Sequence, residues 1–169
     1  MKRVILFLVF ILAIHFAYRA NLILAASEED ATAIQKVIEK YLEGISKSDL
    51  DLVMSQLSLN YSGPGYRNIG VLDYAGVKSA LAERIEMQKE HTKISISDLK
   101  ITNLNIKDNK ATLELEYILR TRRLDDTGIS INERNTRSVS LAKENGSWKI
   151  IQIIFKNTEP VDPDTEDKF

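Results

Sequence analysis

The sequence predicts an α+β domain in which three N-terminal helices pack on a curved antiparallel sheet of four to six strands. Apolar residues recur with a helical period from residue 31 to residue 85, and with a period of two after residue 91. Turn-forming residues divide the second region into segments of strand length. Helices followed by an antiparallel meander form a domain in which the helices cover one face of the sheet.

Each predicted helix has an apolar stripe. Ser48 or Asp49 can cap the second helix and Asp73 the third, because these side chains accept a hydrogen bond from the first turn. The inward positions of the three helices are, in order, Ile34, Val37, Ile38, Tyr41, Leu42 and Ile45; Leu50, Val53, Met54 and Leu57; and Tyr74, Val77, Leu81 and Ile85. The outward positions of the third are Lys78, Glu83, Arg84 and Glu86. Residues 60–70, rich in glycine, indicate a loop or short strand.

Four strands follow, and hairpin turns at 108–109, 125–128 and 145–146 separate them. Their predicted bounds are Ile94–Ile106, Lys110–Arg123, Ile129–Glu144 and Trp148–Phe155. The second helix reads SDLDLVMSQL and the last strand begins GSWKIIQI. With this order of elements, residues 28–155 resemble the nuclear transport factor 2-like superfamily, a cone-shaped cystatin-like fold that includes SnoaL-like polyketide cyclases and ketosteroid isomerases. The resemblance implies a fold and not one activity, because the superfamily mixes enzymes, ligand binders and interaction modules.

The turns also predict which residues share a face of the sheet. A bulged three-residue loop at 125–128 gives the pairs Leu113–Leu141, Leu115–Val139, Tyr117–Arg137 and Leu119–Asn135. The two-residue turn at 145–146 gives the pairs Leu141–Ile150, Val139–Gln152 and Arg137–Ile154. The concave face under the helices is then apolar, with Trp148 at one end of it, and carries five polar residues: Tyr117, Glu133, Asn135, Arg137 and Gln152.

An apolar cup with a few convergent polar groups is typical of a small-molecule site. The predicted pocket comprises the five polar residues and Trp148, roofed by Tyr61, Tyr66 and Tyr74, and suits a small apolar or anionic ligand. Arg137 can hold a carboxylate through its planar fork. The alternative is that these polar residues are solvated or satisfied within the protein, with Arg137 paired to Glu133.

Catalytic candidates are few. Glu133 is the one acid predicted to point inward from the sheet, and it could act as a base beside Tyr117 and Arg137. No Asp or His pair is evident at the inward positions that the superfamily resemblance implies for enzymes. His91 follows the third helix, where a cation suits the helix end. The chain has no cysteine and only two histidines, so no metal site is expected, and no glycine-rich loop indicates a nucleotide cofactor.

The opposite face predicts a homodimer. Ile118, Ile151, Ile153 and Phe155 form an apolar group that a monomer would expose. After residue 27 the chain carries 20 basic and 24 acidic residues, a net charge of −4. This balance gives no basic surface for nucleic acid.

The N-terminus predicts export. A basic start is followed by the apolar run 4–18 and by small residues at 25–27, the pattern of a secretory signal peptide. The alternative is an uncleaved membrane anchor over 4–26, against which Arg19 argues because a charge in a membrane span is costly. We therefore expect a signal peptide at 1–27, one domain at 28–156, a flexible polar tail at 157–169, and a secreted or periplasmic location.

Three functions remain open at this point. The first is a non-catalytic module that binds a small molecule in the cup, the second a proton-transfer enzyme of the isomerase or cyclase type, and the third a homodimeric interaction domain. Enclosure of an acid would favour the enzyme, and an open cup without one would favour the binding module.

Overall fold

A computed structural model describes residues 28–64, 70–125 and 127–162. Within these ranges the elements are α1 (28–47), α2 (Leu50–Gln56), β1 (Ser62–Pro64), β2 (Val71–Asp73), α3 (Tyr74–Lys89), β3 (Thr92–Lys107), β4 (Lys110–Arg123), β5 (Ser130–Glu144) and β6 (Ser147–Pro160). The predicted α+β class is confirmed. The predicted signal peptide lies outside the described residues. In the part of the chain that the structure describes, no helix is both long and apolar enough to span a bilayer.

The long strands form an antiparallel meander in the order β3-β4-β5-β6, and β1 and β2 form a separate two-stranded hairpin. The predicted caps are confirmed: Asp49 accepts a hydrogen bond from the Leu52 amide at 2.9 Å, and Asp73 accepts one from the Gly76 amide at 2.8 Å. The Ser58 amide donates to the Ile150 carbonyl at 2.8 Å and so joins the end of α2 to β6.

The core lies between α1, α2 and the concave face of the sheet. Its fully buried side chains come from α1 and α2 above and from β4, β5 and β6 below, and they include Ile34, Ile38, Val53, Leu113, Leu115, Val139, Leu141 and Ile150. These are the positions that the helical and strand periods predict. Burying such aliphatic side chains contributes about 1.5–3 kcal/mol each.

α1 and α2 are in close contact at Gly44. A Cβ atom on Gly44 would lie 2.7 Å from Val53 Cγ2 and 2.9 Å from the Val53 amide nitrogen. We expect Gly44→Ala to destabilise the domain by about 1–2 kcal/mol, because overpacking outweighs the helix propensity gained by replacing glycine. Urea denaturation measures this, with Lys40→Ala on the exposed side of α1 as the control. Equal stability of the two variants would contradict the close contact.

The register of β4 with β5 differs by two residues from the prediction. Leu113 pairs with Val139 and Tyr117 with Asn135. At the predicted turn the Gly128 amide donates to the Asp125 carbonyl at 3.0 Å, but the Leu124 amide donates to the His91 carbonyl. Leu124 is thereby drawn out of the ladder and the loop is longer than predicted. Because the shift is an even number, every residue of β4 and β5 stays on its predicted face.

Two irregularities in β6 move part of this strand to the opposite face of the sheet from the one predicted. Leu141 pairs with Ile150 as predicted, but the next pair is Ser140 with Gln152, which leaves Ile151 as an extra residue. A second shift leaves Lys156 unpaired before Asn157. Gln152 and Ile154 therefore lie on the convex face, where the prediction placed neither of them.

The predicted dimer patch is wrong in two of its four residues. Ile153, 8% exposed, belongs to the core, and Phe155 lies on the concave face opposite Arg137. Ile118 is on the convex face but is only 2% exposed. The predicted tail is also wrong in part, because β6 continues through residues 157–160, with Thr158 paired to Asn135.

Asp30 joins the start of α1 to the β5–β6 hairpin. Its Oδ1 atom accepts hydrogen bonds from Lys143 Nζ at 2.7 Å and Trp148 Nε1 at 2.9 Å, and these bonds lower the pKa of Asp30 below 3.8. Because the pKa is lowered, the ionised Asp30 carboxylate stabilises the folded state. This stabilisation is complete above the unfolded-state pKa and is lost as the pH falls through the folded-state pKa.

We expect Asp30→Asn to reduce stability by about 1 kcal/mol at pH 7 and by progressively less below about pH 4. Urea denaturation at pH 3, 5 and 7 measures the difference, with Glu29→Gln on an exposed neighbour as the control. A difference that does not change with pH would contradict the ion pair.

Candidate functional site

The polar residues of the concave face collect at one end of it. Tyr117 lies on β4, and Glu133, Asn135 and Arg137 lie on β5, all on the side that faces the helices. Asn135 and Arg137 are 2% and 6% exposed, and Glu133 is half-buried. We call these four residues the polar end of the cup. Their predicted common face is confirmed, and the burial of Asn135 and Arg137 contradicts the alternative that they are solvated.

Arg137 is held in a fixed orientation. Its Nη1 atom donates to the carbonyl oxygens of Thr136 and Asn157, each at 3.1 Å, and its Nη2 atom donates to Asn135 Oδ1 at 2.5 Å. Its guanidinium stacks on the Phe155 ring, 3.9 Å from the ring centroid. Arg137 therefore joins β5 to the end of β6 through neutral groups.

No carboxylate among the described residues lies within ion-pair distance of Arg137, so the predicted alternative of an Arg137–Glu133 pair is wrong. The hydrogen bonds to Thr136, Asn157 and Asn135 use three of the five guanidinium N–H groups, and they do not neutralise the charge. An arginine remains protonated even when buried. The polar end of the cup thus contains a buried positive charge without a described counter-charge.

Two tyrosine hydroxyls and a second arginine lie near Arg137. Burial raises the pKa of Tyr41 far above its usual value, and it raises the pKa of Tyr117 above 10.0. The positive charges of Arg137 and Arg84 act on both hydroxyls in the opposite direction. Both phenols are therefore neutral at physiological pH and can donate hydrogen bonds.

The side of α3 that faces the sheet is only partly buried. Tyr74, Val77 and Leu81 pack against the core, yet no residue of α3 is fully buried. Arg84 lies on the same side and is half-buried, and its Nε atom donates to Gln88 Oε1 at 3.2 Å. The contact of α3 with the sheet is therefore looser than that of α1, whose inward residues Ile34 and Ile38 are 0% exposed.

The other residues predicted for the pocket lie elsewhere. Gln152 is on the convex face because of the extra residue at Ile151. Trp148 is 3% exposed and fills the opposite end of the cup beside Asp30. Its partner Lys143 is six residues from Arg137 along β5, or about 20 Å at the usual rise per residue of a strand.

The predicted tyrosine roof is only partly present. Tyr61 is buried in the core, where its hydroxyl forms a hydrogen bond with the backbone of Ile153. Tyr74 begins α3 and is half-buried against the core. Tyr66 lies outside the described residues.

Arg84 was predicted on the outward side of α3, Phe155 on the dimer face and Tyr41 in the core, whereas the structure brings all three to the polar end. Arg84 lies seven residues after Val77, which puts it on the inward stripe of α3. Tyr41 lies within an aliphatic stripe, and a tyrosine at such a position predicts a polar group nearby, because a buried hydroxyl needs a hydrogen-bond partner. No comparable signal marks Phe155.

The described residues provide little for acid–base or metal chemistry. Glu133 is the one carboxylate among the four residues of the polar end. His91 is exposed and lies beyond α3, away from the cup. Within the ranges that the structure describes, no group of three or more histidine, aspartate or glutamate side chains is placed to hold a metal ion.

No family model matches the sequence, and no curated protein matches it either. Solved structures do resemble the chain. A conserved protein from Planctomyces limnophilus is 14% identical with a TM-score of 0.65, covering 79% of this chain and 99% of its own. A hexachlorocyclohexane dehydrochlorinase from Novosphingobium barchaimii is 13% identical with a TM-score of 0.60, and the match covers 80% of this chain and 92% of the dehydrochlorinase. A protein of the NTF2-like family from Streptomyces avermitilis is 13% identical with a TM-score of 0.59, and the match covers 79% of this chain and 97% of the Streptomyces protein.

These similarities define a class of architecture, the cone of helices on a curved antiparallel sheet. The chain has the nuclear transport factor 2-like fold, as its sequence predicts. At such low identity the similarity concerns the fold alone, and the activity has to be argued from the site.

Proposed function

We propose that the protein is a non-catalytic module that binds a small anionic molecule in the cup. The observation that carries this proposal is the buried guanidinium of Arg137, which no described carboxylate neutralises. A buried charge costs several kcal/mol of desolvation unless an opposite charge compensates it. A bound anion would supply that compensation, and the hydroxyls of Tyr41 and Tyr117 would donate hydrogen bonds to it.

The apolar part of the ligand would lie beneath α3, beside Val77 and Leu81, which pack on the core and are only half-buried. Leu115 and Ile153 are buried on the concave face near Arg137, and α3 covers this region without a fully buried residue. Pockets of this composition, mostly apolar with a few polar groups that fix orientation, are typical of small-molecule sites.

Native mass spectrometry of protein taken from its own host tests the proposal. We expect a reproducible adduct that is released on denaturation and that carries an acidic group. A chain that carries no small molecule, and that also fails to bind amphipathic anions added in vitro, would contradict the proposal. The same spectrum tests export, because a cleaved signal peptide gives a mature chain that begins at Glu28.

A proton-transfer enzyme is the second candidate. Glu133 is half-buried on the concave face, and its charge acts on the Tyr117 hydroxyl. This is the arrangement of a base beside a hydrogen-bond donor. If the protein is an enzyme, Glu133→Gln abolishes turnover of the ligand identified by mass spectrometry, whereas a binding module still binds that ligand in the same variant.

A homodimer through the convex face of the sheet stays a prediction, but the apolar residues that could form its interface differ from those predicted. Ile151 and Ile154 are half-buried there, whereas Ile153 and Phe155 are not available. We expect analytical ultracentrifugation at tens of micromolar to detect a dimer that Ile151→Lys disrupts. A monomer at that concentration would remove the interaction-domain interpretation.

A further inference from the structure

From the directions of their donors, we infer that Arg84, and not Arg137, makes the ion pair with the ligand in the cup. This inference rests on the proposed function. It assigns Arg137 the part of a positioning residue and makes Arg84 the residue that determines specificity. It also defines the ligand class as an amphipathic molecule with one compact anionic group, such as a carboxylate or sulfonate, on an apolar body.

Arg137 has few directions left in which to contact a ligand. Both of its terminal nitrogens already donate, to Thr136, Asn157 and Asn135. One face of its guanidinium is covered by Phe155 at 3.9 Å, and the Tyr117 ring centroid lies 5.9 Å from its Cζ atom. A bidentate contact needs two parallel N–H groups free on one edge. On the edge formed by the two terminal nitrogens, such a contact would require Arg137 to give up bonds that join β5 to β6. The Tyr117 hydroxyl forms a further hydrogen bond with the Arg137 side chain.

Asn135 makes this arrangement rigid. Its Oδ1 atom accepts from Arg137 and also from Thr158 Oγ1 at 3.1 Å, and its Nδ2 atom donates to the Glu133 carbonyl at 3.0 Å. The amide is 2% exposed and therefore has little access to water that could replace these bonds. Arg137 consequently acts on a ligand through its charge and through the placement of Tyr117.

Arg84 is differently placed. Only its Nε atom has a described partner, Gln88, so its terminal nitrogens make no described hydrogen bond. It extends from α3, on the side that is partly buried, and its charge reaches the hydroxyls of Tyr41 and Tyr117. The groups that can turn toward a ligand are therefore one guanidinium edge and two phenol donors.

The same geometry limits the ligand to one anionic group. Glu133 lies on the concave face two residues from Asn135 and four from Arg137, and it would repel a second negative charge at this end. Leu113, Val139 and Leu141 are packed in the core beneath α1, so the apolar body would lie under α3, against the half-buried side chains of Tyr74, Val77 and Leu81.

Two fluorescent probes that differ only in charge test the inference on the full chain. 8-Anilinonaphthalene-1-sulfonate is the anionic probe, and N-phenyl-1-naphthylamine is the same molecule without the sulfonate. We expect the wild type to bind the anionic probe more tightly. Arg84→Gln should weaken that binding about tenfold or more and leave the neutral probe unchanged, since one charge-assisted pair is lost. Arg84→Lys should retain part of the preference.

Two further variants separate the possible outcomes. Lys78→Gln removes an exposed charge from the same helix and should bind both probes like the wild type. Arg137→Gln should weaken both probes, because it disturbs the wall of the cup, and it should weaken the anionic probe somewhat more, because it also removes a nearby positive charge. A preference for the anion that survives Arg84→Gln but is lost selectively in Arg137→Gln would overturn this inference and leave the proposed function intact. A wild type that binds neither probe, or both equally, would overturn the proposed function and the inference with it.

Discussion

Ile153→Asp is expected to unfold the domain. Ile153 is 8% exposed and belongs to the core beneath the helices, because the extra residue at Ile151 turns it inward. An unpaired carboxylate at such a position costs more than about 4 kcal/mol, which is comparable with the lower end of the roughly 5–15 kcal/mol by which domains are stable. Far-UV circular dichroism and urea denaturation should show loss of the cooperative transition at neutral pH.

Ile154→Asp is the matched control. Ile154 follows directly, pairs with Ser138 on the convex face and is half-buried. We expect it to cost about 1 kcal/mol and to leave the transition cooperative. An unbulged strand would reverse the two results, because it points Ile154 inward and Ile153 outward. A stable Ile153→Asp variant beside an unfolded Ile154→Asp variant would therefore contradict the described register.

Arg137→Met is expected to destabilise the domain by about 2–4 kcal/mol. Methionine replaces much of the volume, but the carbonyls of Thr136 and Asn157 lose the hydrogen bonds from Arg137, and Asn135 Oδ1 keeps only the one from Thr158 Oγ1. Removing a buried charge also relieves desolvation, which acts in the opposite direction. We expect the three lost hydrogen bonds and the lost stacking on Phe155 to outweigh that relief.

Urea denaturation measures the loss, and hydrogen exchange locates it. Residues 157–160 should lose protection first, because Arg137 holds that part of β6 against β5. Arg134→Met, at an exposed position of the same strand, should change stability by less than about 0.5 kcal/mol. An Arg137→Met variant as stable as the wild type would show that the charge is a net cost to folding.

The fold could be predicted because each helix and strand carries its own periodic pattern. The register could be predicted only where a turn determines it locally, as at 145–146, where the pairs next to the turn are confirmed. Residues 150–155 of β6 are apolar at nearly every position, so alternation cannot reveal the extra residue at Ile151. The loop after β4 depends on a hydrogen bond from Leu124 to His91, a contact between distant positions that turn residues do not indicate.

The site was predictable to the extent that it lies on β4 and β5. The four residues of the polar end lie on their predicted face because the predicted register of β4 with β5 is wrong by two residues, an even number. Arg84 was assigned to the outside by its charge, although its spacing from Val77 fits the inward stripe. The partners of Arg137 could not be predicted, because they depend on the irregular part of β6, which carries Phe155, Asn157 and Thr158.

The contact of Asp30 with Lys143 and Trp148 lies far from the polar end of the cup. It places the first described turn of α1 beside the β5–β6 hairpin, at the opposite end of the sheet from Glu133. Ten residues of β5 separate Lys143 from Glu133, or about 33 Å. The start of α1 and the polar end are therefore independent parts of the domain, and a chemical change at Asp30 alters the stability of the domain without reaching the groups around Arg137.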